Sequence, residues 1–212
     1  MSIPAVRVES PAAPTPYQDS QAKNLLPCDG QAFLIEAAIP HPIADRLFAG
    51  LMHRIHWHSA TAMIMGRQVA IPRLTAWYGE GDYTYSGIRN VAAPWIGELL
   101  ELKGVAEHCA GVGFNSVLAN LYRNGGDSVS WHADDEVGMG SSPVIASISL
   151  GAVRQFRMRH KTSRHQALAI DLPHGSCLVM AGTMQQFWQH AVPKTTRQVG
   201  PRINLTFRRC GS

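Results

Sequence analysis

Several things are scarce in this 212-residue sequence, and each scarcity excludes a class of protein. Its four cysteines, Cys28, Cys109, Cys177 and Cys210, lie far apart and form no CxxC pair. With no basic start and apolar run to act as a secretion signal, that usage points to a reducing compartment, and the expected location is the cytoplasm. No stretch approaches the roughly 20 apolar residues that a membrane helix needs, so no membrane partner is expected. No internal repeat is visible. Charged residues make up only 16% against 45% apolar ones, the balance of a cored globular chain. The net charge of +4 favours a polyanionic partner without proving one.

What is present divides along the chain. Residues 1–24 are rich in Pro, Ala and Ser and read as a disordered tail. In residues 40–59, Ile43, Leu47, Phe48, Leu51, Met52 and Ile55 recur at helical spacing. Residues 62–73 carry two apolar runs around Gly66 and read as a hairpin, and "WYGEGDYTYSG" (77–87) reads as a loop. Pro94 opens a second helix running to about Cys109. From Val112 onward eight short runs follow one another between turns: "FNSVLANLY", "SVSWH", "VIASISLG", "RQFRMRH", "ALAIDL", "SCLVMAG", "WQHAVP" and "RINLTFRR". Such a series predicts an antiparallel barrel or double-sheet jelly roll. The expected division is a tail at 1–24, helices and a recognition lid at 25–110, and a jelly-roll core at 111–209, the last two packed as one α+β domain.

Within "SVSWHADD", His132 and Asp134 are two residues apart, and on a strand such a pair shares a face. Two histidines and one carboxylate form a facial triad that suits Fe(II) with coordination positions left open. His190 in "FWQHAVP" is the best candidate for the third ligand. An HxD pair alone is weak evidence, and more often marks a surface histidine beside a solvated acid. The final strand narrows the choice. In "PRINLTFRR", Arg202, Asn204, Thr206 and Arg208 share one face opposite the apolar Ile203, Leu205 and Phe207. A doubly cationic inner face asks for an anion, and arginine forks a carboxylate well. Asn120 and Tyr122 share a face of "NLY" and add hydrogen-bonding groups.

HxD, His190 and R-x-N-x-T-x-R in this order resemble the AlkB family of Fe(II)/2-oxoglutarate dioxygenases. The resemblance runs from about Pro72 to Arg209. Through "YTYSG", "WHADDE", "PVIASISLGA", "FRMRHK" and "PRINLTFR" it is closest to the animal nuclear homologue that repairs alkylated duplex DNA. It implies a double-stranded β-helix core, Fe(II) as cofactor, and 2-oxoglutarate and O2 as cosubstrates. It implies His132, Asp134 and His190 as iron ligands, and Asn120, Tyr122, Arg202, Asn204, Thr206 and Arg208 as the 2-oxoglutarate pocket. Arg202 would take the distal carboxylate and Arg208 the end near the metal.

The implied reaction is oxidative demethylation of 1-methyladenine and 3-methylcytosine in DNA or RNA by a monomer. A bacterial setting, near the nucleoid when DNA is the substrate, is expected. Tyr83, Tyr85 and Asp135 match residues that grip a flipped base, and Glu136 is placed behind them. The hairpin tip at Met65, Gly66 and Arg67 stands where the duplex-repairing homologue carries an aromatic wedge. A methionine wedge and a plain surface hairpin are both open readings. Arg157, Arg159 and Lys161 lie on one strand face, either a solvated charge face or a phosphate track. Two further readings stay open: the same chemistry on a protein or small molecule, and a nucleic-acid binding module with a dead site.

Overall fold

The computed structural model describes residues 22–64, 67–80, 83–85, 88–90, 92–135, 138–163 and 165–211. Residues 1–21 of the tail expected at 1–24, the hairpin tip at Met65 and Gly66, and Glu136 lie outside the described residues; Asn24, at the end of that span, is docked, its Oδ1 accepting the Ala32 N–H at 2.9 Å. In chain order the elements are β1 (Gln31–Ile35), α1 (His41–Arg54), β2 (His58–Ile64), β3 (Arg67–Gly79), β4 (Tyr83–Tyr85), β5 (Ile88–Asn90), α2 (Gly97–Ala110) and β6 (Ser116–Tyr122). There follow β7 (Val129–His132), β8 (Ile145–Gly151), β9 (Arg154–His160), β10 (Ala167–Leu172), β11 (Ser176–Ala181), α3 (Met184–Phe187), β12 (Trp188–Val192) and β13 (Arg202–Arg208).

The strands form a seven-stranded sheet in the order β1-β11-β8-β13-β6-β3-β2 and a four-stranded sheet in the order β10-β9-β12-β7. All their ladders are antiparallel. This is the layout of a jelly roll, and each of the eight runs expected from Val112 onward supplies one strand. β1 and α3 were not anticipated. The aromatic segment expected to be a loop instead contributes its first residues to β3 and supplies β4, which pairs with β5 just beyond it. β1, β2 and β3 are hydrogen-bonded into the large sheet, so residues before 110 share that sheet with the later strands.

Period-two alternation gives the large sheet two different faces. On its outer face Val117, Ala119 and Leu121 of β6, Ala146, Ile148 and Leu150 of β8, and Ile203, Leu205 and Phe207 of β13 pack against Leu47 and Leu51 of α1 and Leu99, Leu102 and Ala106 of α2. α2 closes at Gly111, whose left-handed φ of 68° suits glycine. The inner face is polar at its centre and looks across at the four-stranded sheet. Trp188, Phe156, Met158, Met180 and Met184 fill the rest of that interlayer.

Arg154, first residue of β9, is buried and acts as a strut. Its Nη1 donates to the Asn124 carbonyl at 3.1 Å, and its Nη2 to those of Asp127 at 2.8 Å and Pro193 at 2.7 Å. Arg154→Met would strand those carbonyls and lower stability by about 2–4 kcal/mol. Denaturant midpoints check this; an unchanged midpoint would mean the 123–128 turn is held by other contacts.

Candidate active site

The inner faces of both sheets enclose one cavity. From the large sheet come Arg73, Leu118, Asn120, Tyr122, Ser147, Met180, Arg202, Asn204, Thr206 and Arg208; from the small sheet and its loop come Val129, His132, Asp134, Phe156, His190 and Val192. His132, Asp134 and His190 bring one donor atom each to within 4.8 Å of one another. His132 Nε2 lies 3.9 Å from Asp134 Oδ1, and His190 Nε2 lies 3.7 Å from Asp134 Oδ2.

Strand alternation is not what joins His132 to Asp134. β7 ends at His132, and Asp134 sits beyond it in the irregular stretch 133–135. Three groups hold it there. Its backbone N–H donates to Gln185 Oε1 at 2.9 Å, Arg208 Nη2 pairs with Oδ1 at 3.0 Å, and the two histidines face its oxygens. On the neighbouring ladder, His190 pairs with His132 and Val192 with Val129, so Ser130 and Trp131 oppose the single residue Ala191. That β-bulge is why Val129 and His132, three apart, both line the cavity.

The electrostatics favour ligation. Burial acts to raise the Asp134 pKa, but Arg208, His190, His132 and Arg73 outweigh it and hold the carboxyl below its usual range. Burial, with His132 adding, pushes His190 down to about 3, so its imidazole is neutral near pH 7. Neutral imidazole and ionised carboxylate are the forms that bind a metal. His132 Nδ1 lies 2.9 Å from the Ser130 carbonyl; with the hydrogen on Nδ1, Nε2 is left as the ligating atom. The His190 ring is held by stacking on Phe156, at 5.2 Å between centroids.

Beside the triad, Arg202 is only 1% exposed. Its Nη2 donates to Ser149 Oγ at 2.8 Å and its guanidinium lies 5.1 Å from the Tyr122 ring centre. Its Nε and Nη1 are buried with no hydrogen-bond partner among the described residues. Burial pulls its pKa down, Tyr122 opposes this and Arg154 adds to it, yet arginine stays cationic at any ordinary pH. Asn204 donates to Ser147 Oγ at 2.7 Å, and Thr206 to Asn204 Oδ1 at 3.2 Å. The donor set thus fits Fe(II), and the two nitrogens of Arg202 left without a partner among the described residues fit a carboxylate such as that of 2-oxoglutarate.

Several of these residues were not singled out from the sequence. Ser147 and Ser149 alternate with Ile148 in "ASISL", a small-polar pattern that marks an inner face. Arg73 donates to Asn120 Oδ1 at 2.7 Å, and its signal was a lone charge in "IPRLTAW". Gln185 left no signal, because its contact with Asp134 spans 51 residues.

Cys28, Asp29 and His160 form a second group with metal-donor atoms within 4.8 Å. Here His160 Nδ1 accepts the Ser163 N–H at 3.1 Å and the Thr162 N–H at 3.3 Å. Its hydrogen is therefore on Nε2, facing Asp29 Oδ2 at 3.1 Å. Desolvation and Asp29 also push the Cys28 thiol up. An N–H and a protonated thiol do not make a metal site.

None of the expected substrate residues is among the described residues that line the cavity. Arg157 and Arg159 are exposed on β9. Arg159 lies over the Trp131 ring at 4.2 Å and bonds Gln189 Oε1 at 2.9 Å. Lys161 Nζ bonds Asp135 Oδ2 at 3.1 Å and the Gln185 carbonyl at 2.9 Å. Arg67 begins β3, and Tyr83 and Tyr85 bound β4.

Residues 31–208 match the model of the 2OG-Fe(II) oxygenase superfamily, whose members use Fe(II), 2-oxoglutarate and O2. The chain is 46% identical to the bovine alpha-ketoglutarate-dependent dioxygenase alkB homolog 3, over 78% of this chain and 61% of that protein. It therefore spans less than two thirds of that relative. It is 34% identical to the human DNA oxidative demethylase ALKBH2, over 78% of this chain and 68% of that protein. The expected order of likeness is thus reversed, homolog 3 being nearer in sequence than the DNA demethylase. These relatives are mammalian and lend no support to a bacterial setting. The solved structure of OsALKBH1 superposes with a TM-score of 0.63 at 16% identity, covering 84% of this chain and 96% of that one, a likeness of fold. No described helix is long and apolar enough to cross a membrane. On the match of 31–208 and these identities, the chain belongs to the AlkB family of 2OG-Fe(II) oxygenases.

Proposed function

We propose that this chain is a dioxygenase that oxidatively demethylates 1-methyladenine and 3-methylcytosine in DNA, acting as a monomer. The observation that carries the reading is one cavity holding a His-Asp-His donor set beside a buried arginine whose Nε and Nη1 have no hydrogen-bond partner among the described residues. When bound, Fe(II) with 2-oxoglutarate and O2 supplies the oxidation of an N-methyl group to N-hydroxymethyl, which leaves as formaldehyde, with succinate and CO2 as the other products.

In this reading His132, Asp134 and His190 hold the metal, and Arg208 offsets the charge of Asp134. Arg202 and Ser149 take the distal carboxylate of 2-oxoglutarate, with the Tyr122 ring keeping water from it. Asn120, Asn204 and Thr206 orient the rest of the cosubstrate. Tyr83, Tyr85 and Asp135 receive the damaged base, whose weak pairing makes it cheaper to extrude than a normal one. Arg157, Arg159 and Lys161 follow the phosphates. The 25–110 region serves as the recognition lid, with Met65, Gly66 and Arg67 at its hairpin tip.

Formaldehyde release from a 1-methyladenine oligonucleotide tests the reading. Wild-type chain loaded with Fe(II) should release it, and Asp134→Ala should release none while keeping its fold, because a triad short of one ligand loses metal. Absence of release from wild type on DNA and RNA alike would move the substrate to another class. Arg202→Ala should raise the 2-oxoglutarate KM roughly 30-fold or more, the equivalent of about 2 kcal/mol for one partner of a buried charged pair. A KM within threefold of wild type would place the distal carboxylate elsewhere.

Strand preference turns on the hairpin tip. Met65→Ala should lower turnover on duplex by about 10-fold, or ~1.4 kcal/mol, if its side chain fills the gap left by an extruded base. Single-strand turnover should hold within about twofold, since no stack is opened. An unchanged duplex-to-single-strand ratio would mean the tip is not a wedge.

A further inference from the structure

We infer that Gln185 and Lys161 are positioning residues for the metal: together they fix the 133–135 segment so that Asp134 faces His132 and His190. The inference rests on reading those three residues as the metal site. Asp134 is the one donor of the three that no strand carries, since His132 ends β7 and His190 lies within β12. Its placement therefore depends on side chains reaching in from elsewhere.

Gln185 is 1% exposed on α3, a single turn between β11 and β12. Its Oε1 accepts the Asp134 N–H at 2.9 Å, and its Nε2 rests 3.8 Å from Met180 Sδ. A backbone N–H buried at this point needs an acceptor, and only a neutral one avoids placing a second negative charge beside Asp134. Glutamine supplies the oxygen without the charge.

Lys161 closes the arrangement from the outside. Its ammonium bonds the backbone carbonyl of Gln185 at 2.9 Å and the carboxylate of Asp135 at 3.1 Å. The Lys161 N–H also donates to the Phe187 carbonyl at 2.7 Å, so β9's end, α3 and the 133–135 segment are tied at consecutive points. Asp134 is thus anchored by its own N–H and by its neighbour's carboxylate. A surface cation that would otherwise be assigned wholly to phosphate binding is also part of the metal site's support.

Mn(II) affinity of the whole chain, by calorimetry in the presence of 2-oxoglutarate, is the test, with metal-free unfolding curves for each variant. Gln185→Met, similar in volume but without the acceptor, should bind Mn(II) about 10-fold more weakly, the low end for loss of a ligand's supporting partner. Lys161→Met lies at the surface and should weaken Mn(II) several-fold with an unchanged unfolding midpoint, separating positioning from folding. Affinities within twofold of wild type in both variants overturn the inference. So does a loss confined to Gln185→Met that tracks its own unfolding while Lys161→Met binds normally. Wild-type Mn(II) binding that survives Asp134→Ala would instead overturn the metal-site reading itself.

Discussion

Arg73, Arg202 and Arg208 converge on a space in which Asp134 is the only carboxylate among the described lining residues. Arg208 is paired with Asp134, but Arg73 bonds the Asn120 amide and Arg202 the Ser149 hydroxyl, so the remaining buried positive charge raises the energy of the protein unless an anion joins it. The hydroxyls of Ser147 and Ser149 and the amides of Asn120 and Asn204 reduce the cost without removing it. The charge of this interlayer suits an anion and its His-Asp-His group a divalent metal, the combination that 2-oxoglutarate and Fe(II) supply in this family.

Such a cavity is tolerable because stability comes from the other side of the same strands. Val117, Ala119, Leu121, Ile148, Leu150, Ile203, Leu205 and Phe207 make a continuous apolar surface against α1 and α2. One strand can hold Arg202, Asn204, Thr206 and Arg208 inward only because the residues between them are wholly apolar and fully covered. Substrate chemistry and folding are thus segregated by parity of residue number along β6, β8 and β13.

That parity is also what made much of the molecule legible in the sequence. The eight strands after Val112, the polar face of β13 and the pairing of Asn120 with Tyr122 all follow from alternation. Alternation failed where the backbone leaves the strand. His132 and Asp134 do meet, yet through long-range bonds to Gln185 and Arg208 rather than through the pleat. Gln185 and Arg73 are set by tertiary contact, which no local pattern encodes. Arg154 stood unremarked in "RQFRMRH", although its burial under three carbonyls distinguishes it from its exposed neighbours Arg157 and Arg159.

The bulge at Ser130 and Trp131 has a meaning for how this chain can change. In a regular ladder Val129 and His132 would lie on opposite faces, and the extra residue is what turns the histidine inward. Loss of either bulged residue would leave β7 and β12 free to pair more evenly, a gain for the sheet, while rotating the residues on one side of the deletion to the opposite face. Folding and ligation thus pull in opposite directions at this point. Length variation there is closed to any descendant that keeps the metal, and open to one that keeps only the fold.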